Sequence, residues 1–178
     1  MADVPGRTFP HVVLRSQHDK PLRFYDDLLK GRVVMINFFY TTCTGTCSTT
    51  THNLAKVVEA LGERFEREVV LLSITVDPDH DTPAALKAYS ERYAARRGWY
   101  FLTGSVRDID GIRTVLGARD RFNVEGPHTS VLIYGNAETG QWATAPAQGD
   151  PTLIARTVMR LVDLAQRQRL AKSTAHSD

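Results

Sequence analysis

Two apolar runs dominate the chain, at residues 32–39 and 69–76. Both are rich in β-branched and aromatic residues and are almost uninterrupted by polar ones, a pattern that predicts strands buried on both faces. Between them, Leu54, Val57, Val58 and Leu61 recur at helical spacing, and Gly62 is a natural stop. After the second run comes Asp77-Pro78-Asp79-His80-Asp81-Thr82-Pro83. Thr82 as N-cap with Pro83 in the first helical position predicts a helix, with Leu86, Tyr89 and Tyr93 on one face and an end near Gly98. A third strand is expected at 99–102. Ser105 and Asp108 then form a capping-box pattern that opens a helix through Val115 and Leu116. Residues 131–134 read as a fourth strand, 136–140 as a hairpin turn, and Trp142 as part of the returning strand. Asp150-Pro151 opens a last helix, with Leu153, Ile154, Thr157, Val158, Leu161, Val162 and Leu164 as its apolar stripe. Ahead of all this, 9–14 reads as a short strand, 17–21 as its turn and 22–30 as one helical turn. Residues 117–127 read as a loop.

Strands alternating with helices predict an α/β fold in which crossovers bury a partly parallel sheet. A strand, a helix, a second β-α step and a closing ββα unit follow the thioredoxin-like order: a mixed central β-sheet flanked by helices, here with an N-terminal β extension. The expected organisation is an extension at 1–8, one domain at 9–169 and a flexible tail at 170–178. With 178 residues, 42% of them hydrophobic and 24% charged, the chain is long enough for one substantial core. Basic and acidic residues number 22 and 20, a near balance that argues against a nucleic-acid partner. No stretch reaches the ~20 apolar residues of a membrane span, and the first residues carry no apolar signal-peptide core.

Chemistry concentrates where the first buried strand ends, in Tyr40-Thr41-Thr42-Cys43-Thr44-Gly45-Thr46-Cys47. Cys43 and Cys47 are the only cysteines, too few for a disulfide scaffold or for a closed zinc site without histidines. Four residues apart at the start of a helix, two sulfurs share a face and can close a disulfide or pinch one metal ion. A helix N-terminus favours a nearby anion, so Cys43 is expected as a stabilised thiolate with Cys47 one turn further in. Two thiolates are a soft donor pair that suits copper(I), with zinc as the alternative. Thr42, Thr44, Thr46 and Ser48 surround them with hydroxyls, and Gly45 keeps the first turn small.

A third donor has to come from another segment. His11 and His18 read as surface residues, His176 lies in the tail, and His52 falls about 180° round the helix from Cys43. His80 stands in a loop at a strand's carboxyl end, where functional edges gather. His128 follows Gly126-Pro127 and leads into a buried strand whose start faces the thiols in the thioredoxin-like order. By position alone it is either a ligand or a capped loop histidine. Asp77 and Asp81 flank the same edge as weak ligands, as orienters of a ligand histidine, or as turn formers and caps.

The segments from Phe38 to Cys47 and from Ser73 to Pro83, with Pro127-His128-Thr129-Ser130, resemble the Sco/SenC family over nearly the whole chain, 9–165. The resemblance implies a thioredoxin-fold copper-binding metallochaperone associated with copper delivery to cytochrome c oxidase. It implies a copper site of Cys43, Cys47 and His128. It also implies a copper acceptor as partner, an oxidase subunit or its assembly factors, and a periplasmic, membrane-associated setting. Among the departures from the family pattern, Ser48 replaces a proline frequent after the second cysteine, and the segment before His128 is short. A different class of function uses Cys43 and Cys47 as the redox pair of a thiol–disulfide oxidoreductase, with a thioredoxin-like reductant as partner. A third, peroxide reduction at Cys43, lacks a convincingly placed Arg or Thr.

Overall fold

A computed structural model describes residues 2–4, 7–43, 45–118 and 130–175. The two apolar runs form β5 (Val33–Phe39) and β6 (Val69–Thr75), adjacent and parallel in the middle of a seven-stranded sheet. The other strands of that sheet are β3 (Val13–Ser16), β4 (Pro21–Arg23), β7 (Trp99–Thr103), β8 (Val131–Asn136) and β9 (Gln141–Pro146). Their order is β4-β3-β7-β6-β5-β8-β9, with β5, β6 and β7 parallel and the flanking pairs antiparallel. This is the expected mixed sheet. β1 (Ala2–Val4) and β2 (Arg7–Phe9) form a separate antiparallel pair, the N-terminal extension.

Alternation along the central strands divides the core in two. Val33, Met35 and Phe39 of β5, with Leu71 and Phe101, face a cluster closed by α1 (Thr46–Leu61), α2 (Pro83–Arg92) and α4 (Pro151–Ala175). Val34, Ile36, Val70, Leu72 and Ile74 face the other side, closed by α3 (Val106–Val115), by Phe9 and by a π-helical turn at Phe24–Leu29. Thr82 caps α2 by accepting from Ala85 N–H, and Ser105 caps α3 by accepting from Asp108 N–H.

Several expectations are corrected. Residues 9–14 are not one strand: Pro10, which has no N–H to donate, separates β2 from β3, and the two join different sheets. The segment 22–30 begins as β4 and only then turns helical. In α4, Ile154, Val158, Val162 and Ala165 are buried, whereas Leu153 and Leu164, round the helix from that line, are 60% and 41% exposed. The helix also continues to Ala175, into the segment expected as a tail.

One buried polar chain ties the three parallel strands together. Ser73 Oγ on β6 donates to Asn37 Oδ1 on β5 at 2.7 Å and accepts from Trp99 Nε1 on β7 at 2.9 Å. All three residues are buried. Ser73→Ala would leave two buried groups without their partner, and the expected loss is about 1–3 kcal/mol of unfolding free energy. Chemical denaturation checks this; a change below about 0.5 kcal/mol would contradict the bridging role.

Candidate metal centre

Because β5 and β6 are parallel and in register, Phe39 pairs with Thr75 and the loops that follow them leave the sheet side by side. The first loop carries Cys43 and leads into Cys47 at the start of α1, and the second carries Asp77, His80 and Asp81. β8 runs antiparallel to β5, with Ile36 opposite Ile133, so its start at Val131 lies at the same edge.

α1 begins at Thr46, preceded by Gly45 at φ +123°, ψ −99°, a conformation that favours glycine and that no helix can continue through. Cys47 therefore lies in the first helical turn. Cys43 lies before the helix, in a turn closed by its N–H donating to Tyr40 O at 3.3 Å, so the two cysteines do not share one helix face as expected. The side chains nevertheless meet: both thiols are free and half-buried, and they are hydrogen-bonded to each other. The Tyr40 phenol is hydrogen-bonded to Cys43, which raises its own pKa.

Burial pushes the Cys47 thiol up to about 12, and its hydrogen bond with Cys43 adds to the rise against an opposing backbone hydrogen bond from Tyr40. Held that high, Cys47 keeps its proton at neutral pH. Behind it, Thr51 Oγ1 donates to Cys47 O at 2.8 Å and lies 2.9 Å from Tyr89 Oη, while Tyr93 Oη donates to Ser48 Oγ at 3.0 Å. Tyr89 and Tyr93 pack with ring centroids 4.9 Å apart, and burial raises the Tyr89 phenol.

Asp81 is 1% exposed, and both of its carboxylate oxygens are occupied. It accepts from Thr41 N–H at 3.0 Å, from Thr41 Oγ1, and from Thr75 Oγ1 at 2.5 Å. This makes it a strut between the two loops, neither a free ligand nor the helix cap, which is Thr82. Asp77 faces His80, whose Nδ1 lies 2.9 and 3.0 Å from its two carboxylate oxygens. That hydrogen bond raises the His80 pKa. His11, His18 and His52 are exposed. His128 and His176 lie outside the described residues, as does Thr44. Among the described residues, no three His, Cys, Asp or Glu side chains are gathered to hold a metal ion. The structure thus brings the two sulfurs together, and among the described residues no third metal-binding side chain is grouped with them. Sequence reasoning missed Tyr40 and the Thr41–Asp81–Thr75 strut. Its one usable signal was that Thr41 and Asp81 each follow a strand of the parallel pair.

Residues 13–162 match the family model described as SCO1/SenC. The chain belongs to the SCO1/SenC family. A candidate copper-binding protein of Stutzerimonas stutzeri is 33% identical over 111 residues, 62% of this chain and 52% of its own. The chain spans about half the length of the curated relatives it matches. Among solved structures, Bradyrhizobium japonicum ScoI with copper bound superposes with a TM-score of 0.67 at 24% identity, covering 84% of this chain and 96% of that one. BsSco, a member of the Sco family of cytochrome c oxidase assembly proteins in which a disulfide switch was identified, gives 0.72 at 21% identity, covering 92% and 98%. These likenesses establish the shared thioredoxin-like fold.

The protonated state of Cys47 has a direct test. Its folded value lies above the ordinary 9.0, so the folded protein keeps a proton that the unfolded chain releases. That contribution to stability is present below about pH 9 and is lost as pH rises towards 12. In a Cys43→Ser variant, alkylation of Cys47 by iodoacetamide at pH 8 should be at least about tenfold slower in the folded protein than in denaturant. It should keep accelerating well above pH 9. A plateau near pH 9 in the folded protein would contradict the assignment.

Proposed function

We propose that this SCO1/SenC protein is a copper metallochaperone that holds one copper ion through Cys43, Cys47 and His128 and delivers it to a respiratory oxidase copper centre. The observation that carries the reading is the contact between the two thiols, at the sheet edge where β8 begins. Two sulfurs are a soft donor pair, which favours copper(I), and an imidazole suits either copper oxidation state. His128 stands three residues before β8 and is the histidine best placed in sequence to reach that edge. Three protein donors leave the ion open to a ligand from an acceptor, so transfer proceeds by ligand exchange. The acceptor is an oxidase subunit or one of its assembly factors, and nucleic acid has no part. No helix among the described residues is long and apolar enough to cross a membrane. The setting we propose is periplasmic and membrane-associated, where a dithiol can cycle through a disulfide.

A second reading rests on the same contact. Two half-buried thiols hydrogen-bonded to each other can close a disulfide, so the pair can also act as a thiol–disulfide oxidoreductase. One thiolate attacks a partner disulfide, and the other then displaces the partner as a thiol and leaves Cys43–Cys47 oxidised. A thioredoxin-like reductant would restore the dithiol. Metal and disulfide compete for the same sulfurs.

Anaerobic copper(I) titration against a competing chelator tests the first reading. The expected result is one copper per chain, with affinity rising with pH because the Cys47 proton must leave. Cys43→Ser, Cys47→Ser and His128→Ala should each weaken binding by at least about 10- to 100-fold. Wild-type affinity in the His128 variant would overturn the three-donor site. Retained affinity in both cysteine variants would overturn copper binding at this place altogether.

A further inference from the structure

We propose that Asp81 is a positioning residue for the dithiol, whose buried carboxylate fixes the Tyr40–Cys43 turn to the end of β6 and so holds the two sulfurs within reach of each other. Cys47 is anchored by α1 and by the core against which it packs. Cys43 has no such anchor, since it lies in the turn between the end of β5 and the helix. What restrains that turn is Asp81. Its carboxylate takes the Thr41 N–H and hydroxyl on one side and the Thr75 hydroxyl on the other.

The backbone of Asp81 is itself held on both sides. Its N–H donates to Asp77 O at 3.0 Å, and Thr82 and Pro83 immediately after it start α2. Thr75 Oγ1 also accepts from Asp77 N–H at 3.0 Å, which locks the loop on the β6 side. A carboxylate can accept at both oxygens and meet all three donors at once. An asparagine there accepts at one oxygen only and turns its amide hydrogens towards a hydroxyl or an N–H. Loss of the strut frees the turn, and two groups no longer held in place react with a lower effective concentration.

The inference rests on the reading that Cys43 and Cys47 act as one unit, and its test uses no copper. The purified protein is equilibrated with a glutathione redox buffer. The two thiols and one oxidised glutathione give the Cys43–Cys47 disulfide and two reduced glutathiones. Two electrons and two protons pass to the glutathione sulfurs. The equilibrium constant is measured for wild type, Asp81→Asn, Thr75→Val, Thr41→Val and Thr75→Ser, each shown to be folded by circular dichroism. Thr41→Val removes only a hydroxyl from a half-buried turn and serves if the buried variants do not fold. We expect the constant to fall by about fivefold or more in the Asn and Val variants that fold, with Thr75→Ser close to wild type because it keeps the hydroxyl. General destabilisation lowers a melting temperature without moving this constant. A smaller fall in every folded Asn and Val variant, or an equal fall in Thr75→Ser, overturns the assignment. A failed copper titration with an intact redox effect would sink the chaperone reading and leave the positioning role standing.

Discussion

Parallel pairing of β5 with β6 is the constraint on which the site depends. The register that places Phe39 beside Thr75 sends two loops off the same edge of the sheet. One carries Cys43 and leads into Cys47, and the other carries the carboxylate that ties the loops together. A one-residue slip would turn every core side chain of β5 to the wrong face. The continuous apolar character of both strands, with a packed layer on each side, leaves the sheet no such freedom. The Ser73–Asn37–Trp99 chain adds a polar check on the same alignment.

On this frame the two cysteines have different surroundings although they are four residues apart. Cys47 belongs to α1 and is pressed against the core, so water is withdrawn from it and its proton is kept. Cys43 lies in a turn, under the Tyr40 phenol. The arrangement suits the chemistry we propose, in which the pair takes up a soft ion or closes a disulfide. Membership of the SCO1/SenC family fits this chemistry, and the copper cargo we propose follows from the sulfur pair together with the histidine that leads into β8.

Much of the fold was legible in the sequence because it is written in local signals. β5 and β6 are unbroken apolar runs, and α2 announces itself with Thr82-Pro83. The division at Pro10 was missed because flanking apolar residues masked a missing donor. At the site, the cysteines were legible as a paired soft donor set, whereas Asp81 was visible as a residue type but not as the strut between the loops. The bond from Thr41 to Asp81 crosses forty residues of chain, and no spacing rule announces it. Whether a cysteine keeps its proton depends on how deeply α1 packs, a property of the assembled core rather than of the C-x-x-x-C segment. Helix periodicity placed both sulfurs on one face, but Gly45 starts the helix after Cys43, and the sulfurs meet across that junction instead.

The most direct test of the account is X-ray absorption at the copper edge on protein carrying one equivalent of copper(I), compared with the His128→Ala variant. The account predicts two sulfur neighbours and one imidazole in the wild type, and the same two sulfurs without the imidazole in the variant. A copper environment with fewer than two sulfurs, or an imidazole signal that survives the substitution, would contradict it.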